Sequence, residues 1–216
     1  RASAQTDRQL ADEYFKKDDC EKAIAYYQTV LSTEFDKSAL RNYSNCMQRL
    51  KSWGNAEQFY KGQIKKDAAN SAWYYLSWGA LLEAQNKVQD ASKKYEQALN
   101  SSGNRLDLKR DIGEEFRTMS KPDLALKALM EARTILKRED LFQLEIASVY
   151  RELNEPQKMV DELLSYGSRY QNIELVQSML QDFIKDEKEQ ALLEKSLYEK
   201  IQKFPNEGFY NELLIW

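Results

Sequence analysis

A small residue recurs along this chain about every 34 positions, followed each time by alanine twelve positions on and by a large apolar residue four further. The pattern runs through Ala11, Ala23 and Tyr27, then Ser44, Ala56 and Tyr60, then Gly79, Ala91 and Tyr95, then Gly113, Ala125 and Leu129. A period of that length points away from one closed core and toward units that bury their apolar faces by stacking on one another. Within each period apolar residues fall at i, i+3, i+4 and i+7, break at a polar turn, and resume, so each unit reads as two helices. With seven glycines and three prolines in 216 residues, the chain has little from which to build tight turns or strands, and the expected class is all-α.

The third unit is the plainest, with Tyr75, Trp78, Gly79 and Leu82 on its first helix and Ala91, Tyr95 and Ala98 on its second. Here the chain resembles the tetratricopeptide repeat family. The resemblance carries into the first unit (Leu10, Ala11, Tyr14, Ala23, Tyr27, Val30) and the second (Leu40, Tyr43, Ser44, Met47, Ala56, Tyr60). It continues in the fourth unit (Ile112, Gly113, Phe116, Ala125, Leu129) and the fifth (Ile146, Ala147, Tyr150, Met159, Leu163). A sixth unit is degenerate, with Gln181 where a small residue belongs. The resemblance implies a right-handed superhelical solenoid of antiparallel helix pairs. Residues 6–206 are expected to form six hairpins and 207–216 the first helix of a seventh, with an apolar stripe available for self-association.

Small residues are needed at Gly79, Gly113 and Ala147 because the two helices of a hairpin cross there, and a larger side chain would force them apart. Pro122 and Pro156 suit the first turn of a second helix, where a missing N–H costs nothing. Asp18, Asp19, Ser120 and Asn154 are expected to supply capping oxygens beside them.

The absence of histidine removes the commonest general base and metal ligand, and no phosphate-binding glycine loop or nucleophile elbow is present. Paired carboxylates such as Glu114 with Glu115 read as solvated helix faces. No enzymatic activity, cofactor or metal is expected. Thirty-two basic and thirty-five acidic side chains, evenly spread, give a net charge of −3 and no field to attract nucleic acid.

Residues 1–5 read as the remnant of a secretory signal, with Ala2 and Ala4 placed as in a cleavage site before Gln5, or as a disordered start. The first reading carries an expectation of export to a periplasm or cell envelope. Cys20 and Cys46 fall on helices that would be neighbours in the stack, so a disulfide and a pair of buried thiols both fit.

The family resemblance also implies a binding surface, because first helices line the concave groove. Carried onto this sequence, the groove residues are Arg41, Asn45, Trp73, Leu76, Arg110, Glu114, Arg117, Leu144, Ser148 and Arg151, with Arg8 and Asp12 in the first unit. Arg41 and Asn45 resemble the opening pair of the family's carboxylate clamp, but Ser77 stands where the clamp needs Asn, and Asp107 and Asp111 where it needs cations. What remains is an apolar strip, Trp73, Leu76 and Leu144, among four arginines, suited to a peptide or protein with apolar anchors and acidic residues. A structural role through the convex face or the ends, or a regulatory arm of a longer protein, is the alternative.

Overall fold

A computed structural model describes the backbone of residues 2–216 and the side chains of residues 5–216. The described residues are helical throughout, apart from turns and one short 3-10 turn at Ala68–Asn70, and contain no strand. They divide into two compact units, Arg1–Gly103 and Asn104–Trp216.

The first unit holds α1 (Ala2–Lys16), α2 (Cys20–Thr33), α3 (Lys37–Arg49), α4 (Trp53–Lys66), α5 (Ser71–Glu83) and α6 (Val88–Ser101). The second holds α7 (Leu106–Thr118), α8 (Pro122–Leu136), α9 (Gln143–Glu152), α10 (Pro156–Tyr170), α11 (Ile173–Gln181), α12 (Glu187–Lys203) and α13 (Gly208–Ile215). Of the segment read as a lead-in, Ala2–Gln5 open α1, and Arg1 lies outside the described residues.

The repeat positions are the core: Ala11, Ala23, Tyr27, Tyr43, Ala56, Tyr60, Ala91, Ile112, Ala125 and Ala147 are all almost fully excluded from solvent. Hairpins form where small residues permit them. The pairs α1–α2, α5–α6, α7–α8 and α9–α10 lie closest, and each has Ala or Gly at its crossing. The α3–α4 pair, which carries Ser44 there, is less closely apposed. Its crossing is bridged instead by a 2.7 Å hydrogen bond between the buried hydroxyls of Ser44 and Tyr60. A Cβ on Gly79 would overlap the Tyr95 ring, whereas one on Gly113 would meet Leu129 no closer than 3.4 Å, so only the first glycine is obligatory for packing.

The turn inside each of the first five hairpins is itself a repeat. Asp18, Lys51, Asn86, Ser120 and Asn154 all have left-handed backbone conformations. Beside them, the amides of Asp19, Ser52, Lys87, Lys121 and Glu155 reach back to the carbonyls of Tyr14, Met47, Leu82, Phe116 and Tyr150 at 2.8–3.0 Å. This is the six-to-one bond that closes a helix C-terminus around a left-handed residue. Ser120 and Asn154 therefore end the first helix rather than cap the second, and neither α8 nor α10 has a side-chain cap. Asp19 does cap α2, accepting from the Lys22 amide. Pro122 and Pro156 open α8 and α10, where the missing donor is harmless.

Regularity ends after α10. The nine-residue α11 stops at Gln181 and does not pair closely with α12; α10 is packed instead by α11, α12 and α13. Phe209, Tyr210 and Leu213 of α13 are buried, with Phe209 seated on Gly167, while Ile215 and Trp216 stay 87% and 51% exposed.

Candidate functional site

The polar faces of the first helices are the candidate surface, and the two units present different chemistry. In the first unit Arg41 and Asn45 stand exposed one turn apart on α3. Trp73 and Leu76 do not lie open beside them. Trp73 is 6% and Leu76 5% exposed, and the Trp73 ring stacks on Phe35 at 6.4 Å with Lys37 Nζ 4.2 Å above it. Phe35 comes from the turn between α2 and α3, so the local fold supplies the cover that a partner was expected to provide. Trp73 and Leu76 of the apolar strip read from the family register are therefore core, because Trp and Leu on an element closed by an aromatic neighbour gain most from burial there.

Beside Arg41 and Asn45 lies a polar network that the groove positions only partly indicated. Arg8 Nε donates to Asp12 Oδ2 at 2.9 Å, and the same guanidinium bonds Asp36. Tyr27 OH donates to Asp12 Oδ1 at 2.7 Å and accepts from Asn42 Nδ2 at 2.9 Å. The network ties α1, α2 and α3 together through the buried Tyr27 and the half-buried Arg8, Asp12, Asp36 and Asn42. Burial, followed by the bond to Asp12, raises the Tyr27 phenol above its ordinary range. Burial pushes the Asp36 carboxyl up, but the Ala39 amide and Arg8 outweigh it and hold it below the usual range.

In the second unit the charges pair off. Arg117 Nε donates to Glu152 Oε1 at 2.9 Å and Nη1 to Glu114 Oε2 at 2.9 Å, so one guanidinium links α7 to the end of α9. Arg110 is exposed and lies 3.8 Å from Asp111. Leu144 packs against the core, and Ser148 Oγ donates to its carbonyl at 2.9 Å. Arg151 is exposed at the rim of a small cleft that also includes Asn154, Glu155, Asp182 and Lys185. Of the predicted set, Arg41, Asn45, Arg110, Glu114 and Arg151 are thus at the surface, while Trp73 and Leu76 serve the fold.

Deeper in the second unit, Arg133 makes a bidentate pair with Glu162 at 2.6 and 2.7 Å and donates through Nε to the Leu141 carbonyl at 2.8 Å. The next residue, Phe142, holds a left-handed conformation that costs about 1–2 kcal/mol. Arg133 anchors the loop that imposes this conformation.

Cys20 and Cys46 are joined by a disulfide, with Cα atoms 5.1 Å apart, linking the start of α2 to α3. Among the described residues no group of three or more His, Cys, Asp or Glu side chains could hold a metal ion, and no helix is long and apolar enough to cross a membrane.

The buried small, aromatic and apolar register and the recurrent left-handed turn define an all-α array of helical hairpins, the fold that the tetratricopeptide resemblance implies. No family model matches the sequence, and no curated protein does. Solved structures to which the chain is similar include a crystal structure of MamA protein, 17% identical, covering 78% of this chain and 92% of that one with a TM-score of 0.38. The TPR2AB-domain:pHSP90 complex of yeast Sti1 is 12% identical over 99% and 98% of the two chains, with a TM-score of 0.40. Pseudomonas aeruginosa pilF is 16% identical over 98% and 96%, also at 0.40.

Proposed function

We propose that the protein is a non-enzymatic scaffold that docks a peptide or protein partner on the polar faces of its first helices. The observation that carries this reading is the sorting of the predicted groove positions: Trp73 and Leu76 are buried and Leu144 is half-buried against the core, and Arg41, Asn45, Arg110, Glu114 and Arg151 are left at the surface. A partner recognised there would be read by charge and hydrogen bonding, with Arg engaging carboxylates bidentately. Apolar anchoring is not required of it. The Cys20–Cys46 bridge supports residence in an oxidising compartment, in keeping with an exported protein.

The test is affinity capture with the intact protein and with an Arg41→Glu, Arg110→Glu, Arg151→Glu variant. All three side chains are exposed, so the variant is expected to fold and to lose the captured partners. Recovery of the same partners at the same level would defeat the reading.

A further inference from the structure

In units one, three and four the second helix carries a buried aliphatic residue seven positions beyond its alanine: Val30, Ala98 and Ala132. In the second unit that position is Gln63, 5% exposed. Among the described residues its side chain makes one hydrogen bond, from Nε2 to Ser32 Oγ at 3.5 Å, the outer limit of useful geometry, and its carbonyl oxygen accepts none. That oxygen keeps contact with solvent in the groove, while units one, three and four place an aliphatic residue at the same position.

Gln63 lines an open groove of about 640 Å³ between α2 and α4. Three other amides, Gln28, Asn55 and Gln58, face the same space above a floor formed by Ile24, Met47 and Phe59. Gln28 gives Tyr43 OH only a 3.4 Å bond, and Gln58 makes none among the described residues.

We propose that this groove binds an extended polypeptide segment. An amide side chain offers a donor and an acceptor together, which matches the unpaired N–H and C=O of one extended peptide unit. Asn55 Nδ2 already donates to Ser52 Oγ at 2.9 Å, which leaves Gln28, Gln58 and Gln63 as the amides to be engaged, and a helical partner, having satisfied its backbone groups internally, offers them none. Glu21 in the first turn of α2 and Lys66 in the last turn of α4 mark opposite ends, so the preferred segment carries a basic residue toward Glu21 and an acidic one toward Lys66. At about 3.3 Å per residue, a groove as long as one of these helices takes about six residues. This surface is separate from the first-helix faces and does not depend on them.

The probe is a displayed library of random linear dodecapeptides, selected against the whole oxidised protein, with the enriched peptides then synthesised for anisotropy titration. Two variants address the groove. A Cβ at Gly62 would meet nothing within 4 Å, so Gly62→Trp fills the space without disturbing the helix; Gln63→Leu restores the aliphatic pattern. Binding is expected to weaken about tenfold or more with Gly62→Trp and about fivefold with Gln63→Leu. The Gln63→Leu protein should at the same time unfold at higher denaturant, and Arg41→Glu with Arg151→Glu should leave affinity within about twofold. Failure to select any peptide, or affinities that survive both groove variants, would overturn the proposal. So would enriched peptides that become helical on binding, as read by circular dichroism.

Discussion

The Phe209 ring occupies the space that a side chain at position 167 would need, so α13 is held against α10 by the absence of a single Cβ. Gly79 stands in the same relation to Tyr95, although there the two residues belong to one hairpin. Gly113 does not, because a Cβ there would make ordinary contact with Leu129. The three glycines are all helical and therefore form a controlled series. Gly167→Ala and Gly79→Ala are expected to destabilise by about 1–3 kcal/mol through overpacking. Gly113→Ala is expected to be neutral or to stabilise by up to about 1 kcal/mol, the helix-propensity gain. Urea unfolding of the three variants measures this; equal losses at all three sites would contradict the packing account.

The Cys20–Cys46 bridge joins the first two hairpins and closes a loop with a sequence separation of 26. In the chain-entropy model such a loop corresponds to about 3 kcal/mol of stability, all of it in the first unit. Reductant or Cys46→Ser is expected to lower the unfolding midpoint of that unit and leave the second unchanged. Hydrogen exchange resolved by peptide separates the two. Two reactive thiols in unfolded, unreduced protein would remove the premise.

Lys51 is the least suited of the five left-handed turn residues, since Asp, Asn and Ser side chains tolerate or bond that conformation better than a long aliphatic stem. It is exposed, and replacement by glycine relieves the Cβ penalty without removing a buried contact. Lys51→Gly is expected to stabilise the protein by about 0.5–1 kcal/mol, less than the full penalty because glycine adds entropy to the unfolded chain. A thermal or urea midpoint that falls instead would show that the lysine stem packs usefully.

These turns show where the sequence was legible and where it was not. The crossing residues and the aromatic partners Tyr27, Tyr60 and Tyr95 could be read directly, because close packing restricts residue type at fixed spacing. The left-handed turn recurs as strictly, yet its residues are Asp, Lys, Asn, Ser and Asn; backbone conformation tolerates more side chains than a crossing does, so Ser120 and Asn154 read as caps. The candidate site was half legible. Register alone placed Arg41 and Arg110 at the surface, but the burial of Trp73 depends on Phe35, a turn residue that no repeat position fixes. Gln63 departs from the aliphatic residues of the other units, but nothing in the sequence singled it out, and its place in the groove came only from the structure.

Asp140 gives the second unit an acid-sensitive contact in the loop after α8. Its carboxylate accepts from Arg138 Nη2 at 2.6 Å and lies 3.6 Å from Arg169 Nη1, so the loop is tied to α10 through one acidic group. The Arg138 hydrogen bond is the main reason its pKa falls to about 2 from the model-compound value of 3.8. A carboxyl with a depressed folded-state pKa stabilises fully above its unfolded value and loses that contribution as pH drops through the folded one. Stability of the second unit is therefore expected to decline between about pH 4 and pH 2. In Asp140→Asn that component should be missing, leaving a shallower acid limb. Carboxyl-detected NMR titration reads the group itself; a midpoint near 4 for Asp140 would show that Arg138 and Arg169 do not engage it in solution.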